Sequence, residues 1–109
     1  MARDRTMKAI INGLRYDTDK AILIGEGGHG QSRSDFNYWE AGLYKTPRSG
    51  RWFLAGEGHG MTRFASNVGN MRGWGSRIFP MDEDEAREWA EQHLTTAEVE
   101  AAGFTIEDA

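Results

Sequence analysis

The chain reads as an α+β domain, an antiparallel sheet of about five strands with one or two C-terminal helices packed on one face. Three observations predict this. Residues 7–79 break into short apolar runs punctuated by Asn-Gly, Gly and Pro, the pattern of strands joined by turns. From Asp82 onward, apolar residues recur at helical spacing behind acidic caps. The aromatic content, four Trp, five Phe and three Tyr in 109 residues, is enough to build one core.

Each element has its own signal. Residues 1–5 read as a flexible N-terminal arm, and residues 6–109 as a single domain. Met7 to Ile11, Asn12-Gly13 and Leu14 to Tyr16 form a hairpin, because Asn-Gly accepts the two positive φ values of a type I′ turn. Asp17-Thr18-Asp19 is a turn whose side chains can bond nearby backbone amides. Lys20 to Gly25 is a short third strand, followed by a polar loop from Gly27 to Ser34.

The next two strands form a longer hairpin that carries most of the core. Asp35 to Lys45 and Arg51 to Gly56 are joined by a turn at Thr46-Pro47-Arg48-Ser49-Gly50. Alternation puts Phe36, Tyr38 and Tyr44 on one face, with Trp39 and Leu43 on the other. Met61 to Ser76 reads as a long loop around Trp74, and Arg77 to Phe79 as an edge strand stopped by Pro80. Asp82 with Glu85 is a capping box opening a helix whose stripe is Ala86, Trp89, Ala90, His93 and Leu94. His93 reads as a core-edge histidine at the helix C-terminus. Thr95 with Glu98 repeats the cap for a second short helix ending near Gly103.

Two segments repeat one another: Leu23-Ile24-Gly25-Glu26-Gly27-Gly28-His29-Gly30 and Leu54-Ala55-Gly56-Glu57-Gly58-His59-Gly60. Each runs on to a hydroxyl residue and an arginine, Ser32-Arg33 and Thr62-Arg63. Glycine permits positive φ and close backbone approach, so both read as strands ending in tight loops. If the loops converge, Glu26, His29, Glu57 and His59 form a site for a small metal-dependent or hydrolytic enzyme. If they do not, both are bulged strand ends with solvated polar residues. The ligand spacing of a recognisable metal motif is absent, and no helix pattern follows the first glycine run as a phosphate-binding loop requires. The reading therefore expects no metal, no cofactor and no enzyme.

Charge is segregated. Residues 1–80 hold twelve Lys/Arg against seven Asp/Glu, a net of +5, whereas residues 81–109 hold one Arg against ten acids, a net of −9. An acidic helical face can meet a basic partner. The cations of the first eighty residues are scattered, which argues against direct nucleic-acid binding. With no cysteine, there is no disulfide framework, thiolate nucleophile or cysteine zinc site. With neither a bilayer-length apolar run nor a signal-peptide pattern, the expectation is a soluble cytoplasmic protein without membrane contact.

The order Ile11-Asn12-Gly13-Leu14-Arg15-Tyr16-Asp17-Thr18-Asp19, Asp35-Phe36-Asn37-Tyr38-Trp39-Glu40, Leu43-Tyr44-Lys45-Thr46, Phe53-Leu54-Ala55-Gly56-Glu57-Gly58 and Asp84-Glu85-Ala86-Arg87-Glu88-Trp89 carries a resemblance. It resembles a family of small, mostly uncharacterised proteins encoded on bacterial plasmids, prophages and other mobile elements, over residues 7 to about 95. The family usually has Gly-Glu-Gly-Gly-Pro where this chain has Gly56-Glu57-Gly58-His59-Gly60, so His59 departs from its pattern. The general character implied is anti-CRISPR-like, in the cytoplasm of a bacterial host cell. The expected function is a non-enzymatic inhibitor that blocks a CRISPR-Cas effector through an acidic surface. Its expected contacts are Glu83, Asp84, Glu88 and Glu91, with Trp74 as an aromatic anchor.

Overall fold

The computed structural model describes residues 6–109, the side chain of Val68 excepted. The segment expected to be an N-terminal arm lies outside the described residues. Among these residues the chain forms eight strands and two helices: β1 (Lys8–Ile11), β2 (Leu14–Asp17), β3 (Ile22–His29), β4 (Trp39–Lys45), β5 (Trp52–Gly58), β6 (Ser66–Val68), β7 (Met71–Gly73), β8 (Gly75–Met81), α1 (Glu83–His93) and α2 (Thr96–Ala101). The α+β class holds, but the main sheet has four strands, not about five. It runs β3-β4-β5-β8, antiparallel throughout, and the β1-β2 and β6-β7 hairpins are separate two-stranded sheets.

The first hairpin turns as its sequence requires, with Asn12 and Gly13 at φ of 52° and 79°. Thr18 then ties its ends together. The Met7 N–H donates to the Thr18 hydroxyl at 2.9 Å, and the Thr18 N–H donates to the Met7 carbonyl at 3.0 Å.

Three expected boundaries differ. The third strand is eight residues long and runs through the first glycine segment to His29, with a register shift between Leu23 and Gly25. The long loop around Trp74 contains the β6-β7 hairpin. The last strand passes through Pro80 to Met81; at the sheet edge one row of backbone groups has no partner strand, so the missing N–H is tolerated. In addition, Phe36 and Tyr38 both precede β4, so of the expected aromatic face only Tyr44 lies in the strand; Phe36 is exposed, and the Tyr38 hydroxyl donates to Glu40.

The sheet is covered on both faces. On one, Ala41, Leu43, Trp52, Leu54 and Phe64 pack against Ala86, Trp89 and Ala90 of α1 and Ala102 and Phe104 beyond α2. On the other, Tyr44, Phe53 and Ala55 pack under Tyr16 of the first hairpin. Tyr44 stacks on Phe53 at 5.2 Å, and Tyr16 meets the same ring edge-on at 5.4 Å.

The β3 glycines of the repeat explain how the end of α1 sits so close, whereas Gly56 and Gly58 of β5 make room for β4 and the loop after β5. In β3 and β5 they lie within strands, at ordinary φ, on the face that carries the helices. A Cβ on Gly27 would lie 2.9 Å from His93 Cβ and 3.2 Å from Trp89 Cη2, and one on Gly25 would lie 2.6 Å from Leu94 Cδ2. The Gly25-Glu26-Gly27 alternation of β3 is thus a docking track for the helix, and in both strands the glutamate is turned to the opposite face. Both capping boxes form: Asp82 accepts from the Glu85 N–H at 2.8 Å, and Thr95 accepts from the Glu98 N–H at 3.2 Å. No helix among the described residues is long and apolar enough to cross a membrane.

Candidate functional site

The loops that follow the two glycine-rich segments come together, and Arg33 of the first repeat reaches Glu57 of the second at 3.5 Å, but the four side chains expected to form an enzyme site are divided. The His59 N–H donates to the Tyr38 carbonyl and the Met61 N–H to the Phe36 carbonyl, each at 2.8 Å, which joins the loop after β5 to the loop before β4. The Phe36 ring meets the His59 ring edge-on at 4.8 Å. Strand alternation then divides the four side chains expected to form an enzyme site. Glu26 and Glu57 lie on the hairpin face, with β4 between their strands, while His29 pairs with Trp39 on the helix face. The His59 Nδ1 accepts the Gly60 N–H at 2.7 Å within its own loop. Among the described residues, no group of three or more His, Cys, Asp or Glu is placed to hold a metal ion.

On the hairpin face a different cluster forms. Glu40 and Glu57 are directly opposite across β4 and β5, and the Arg33 guanidinium spans them at 3.3 Å and 3.5 Å. Two like charges side by side on adjacent strands repel, and a bridging cation offsets that repulsion. The Tyr38 hydroxyl donates to the second Glu40 oxygen at 2.9 Å. Trp74 completes the cluster: its ring stacks on Tyr38 at 6.0 Å, and the Arg33 guanidinium lies 4.3 Å above it. The expected aromatic anchor is therefore half-buried on the face opposite α1, apart from the four acids it was grouped with.

Those four acids share the outward side of α1. Glu83, Asp84, Glu88 and Glu91 are exposed, and Ala86, Trp89 and Ala90 are buried behind them. Arg87 reaches Asp84 at 3.1 Å and Glu91 at 4.0 Å, whereas Glu83 and Glu88 have no ion-pair partner among the described residues. Glu83, Asp84 and Glu85 occupy the first helical turn, where the helix dipole favours negative charge.

A pocket of about 470 Å³ opens on the helix face where the two joined loops meet the end of α1. Its apolar wall is Trp39, Leu54, Phe64 and Trp89, and its rim includes His29, Asn37, Arg63, Gln92 and His93. The His93 ring lies edge-on to Trp39 at 5.1 Å and 4.8 Å from Trp89. Burial among these rings holds its pKa below the ordinary 6.5, because the charged imidazolium loses water there. Sequence reasoning missed this pocket. The pairing of His29 with Trp39 depends on the β3-β4 register, and Met61 to Phe64 reach the pocket only because the second loop folds back on the first.

No known protein family, curated protein or solved structure matches the chain.

Proposed function

We propose that this chain is a non-enzymatic inhibitor that lays the acidic side of α1 on a basic protein surface. The observation that carries this reading is the row of exposed acids on α1, within a C-terminal region of net charge −9. Glu83 and Glu88 have no cation among the described residues to neutralise them. A low-dielectric cleft lined by cations would gain long-range attraction from such a face and exclude its usual polyanionic ligand. The nucleic-acid channel of a CRISPR effector in a bacterial cytoplasm is a target of this kind. The four acids carry the reading without Trp74, which faces away from them.

The test is the variant Glu83→Lys, Asp84→Lys, Glu88→Lys, Glu91→Lys, compared with the wild type for inhibition of CRISPR interference in cells. Association with the effector is measured at two salt concentrations. The wild type is expected to inhibit, to associate faster at low salt, and to lose both properties in the variant. Stability is followed in parallel, since losing Glu83 and Asp84 from the first turn costs about 0.3–1 kcal/mol each. Equal potency of the two proteins, or a wild type without inhibition, overturns the reading.

A further inference from the structure

We propose that the pocket between the two glycine-rich loops and the C-terminal end of α1 binds a planar aromatic anion. Its volume of about 470 Å³ lies within the usual range of small-molecule sites, and its wall is built for stacking. Half-buried Trp39 and the largely buried Trp89 line it, and Phe64, only 1 % exposed, fixes the floor. These rings belong to three different elements (β4, the loop after β5, and α1) packed into one core, so the wall is rigid before any ligand arrives.

The charge of the ligand follows from the rim. The chain holds seventeen Asp and Glu, and α1 alone carries five, yet no carboxylate lines the pocket. The helix turns Trp89, Gln92 and His93 to the pocket and its acids to solvent. Arg63 is exposed, and its guanidinium rests 4.2 Å from the Phe79 ring. Among the described residues it has no carboxylate within ion-pair distance. Its charge is thus oriented by stacking and left for a ligand. His29, exposed and within 3.3 Å of the Asn37 amide, and Gln92 supply further polar contacts at the rim. The ring of the ligand stacks on the tryptophan wall and its carboxylate or phosphate meets Arg63. This site is separate from the outward side of α1 and does not depend on that side binding a partner.

The full chain is titrated with adenosine monophosphate and, separately, with 1-naphthoate, while the four tryptophan indole N–H signals are followed by two-dimensional NMR. Trp52, stacked on Phe104 at 4.5 Å, and Trp74, on the opposite sheet face, do not line the pocket and act as internal references. The Trp39 and Trp89 signals are expected to shift and saturate with at least one probe while the two references stay in place. The probe that binds distinguishes a nucleotide from a simple aromatic acid. Arg63→Gln should weaken that binding about tenfold, the usual scale for losing a charged hydrogen bond. The uncharged counterpart, adenosine or 1-naphthalenemethanol, should be weaker on the wild type by a similar factor, which needs no variant to fold. Absence of a saturable shift at Trp39 and Trp89 with either probe overturns the proposal. So does equal binding of the anion and its uncharged counterpart, or undiminished binding by a folded Arg63→Gln protein.

Discussion

Trp89 is the side chain through which α1 is anchored, and Trp89→Ala tests that directly. Its side chain is 8 % exposed, 6.3 Å from the Trp39 ring and 4.8 Å from that of His93, over the gap left by Gly27. A tryptophan buries roughly 200 Å², which at about 25 cal/mol/Å² corresponds to about 5 kcal/mol. That is an upper figure, since the unfolded chain already hides part of this area. Measured truncations of buried aromatics cost about 3–5 kcal/mol. Trp89 also lines an open pocket, so water enters the space left behind and the value falls at the low end, about 3 kcal/mol. For a domain of this size, the midpoint should fall by roughly 12 °C or more. Thermal melts followed by far-ultraviolet circular dichroism read the shift. An eleven-residue helix is marginal in isolation, so loss of docking also removes helical signal. A midpoint lowered by less than about 4 °C, with the helical signal intact, would refute the reasoning, because one kilocalorie alone moves it about that far.

Two further outcomes follow from the same interface. Gly27→Ala is expected to destabilise more than Gly25→Ala in urea melts, because its new Cβ meets the fixed Cβ of His93, whereas that of Gly25 meets the mobile end of Leu94. Overpacking at position 27 costs about 1–3 kcal/mol, less about 0.4–1 kcal/mol regained by stiffening the unfolded chain; the reverse ranking would contradict the helix track. His93 gives a pH signature. Its folded pKa lies below 6.5, so the unfolded chain takes up its proton first as the pH falls. The stability linked to His93 is complete above 6.5 and declines as the pH drops through 6.5 toward the folded value. Urea melts from about pH 7.5 to about pH 5.5 should show a steeper loss for the wild type than for His93→Gln, and parallel slopes would remove His93 as the cause.

Much of the architecture was legible because local chemistry decides it. Asn12-Gly13 has few alternatives to a type I′ turn, and Asp82 with Glu85 satisfies the first amides of α1 wherever that helix docks. The helical stripe of Ala86, Trp89 and Ala90 was readable from spacing, and all three are buried. The repeated Gly-Glu-Gly was visible too, but its meaning was not. Close backbone approach was the right half of the reading. Positive φ holds only at Gly30, where the first segment ends in its loop at φ of 95°; Gly25, Gly27, Gly56 and Gly58 are ordinary strand residues.

The composition and order of the chain by themselves determined an antiparallel sheet closed by acidic, capped helices, because turn chemistry, capping and periodicity act within a few residues. Only the tertiary structure decided which side chains meet. Strand period sends Glu26 and Glu57 to one face and His29 to the other, so residues close in a motif end on opposite sides of a sheet. Arg33 reaches Glu40 and Glu57, and Trp39 reaches Trp89, through a register and a helix position that involve residues far apart in the chain. Such contacts depend on how the whole core packs, which no short segment encodes alone.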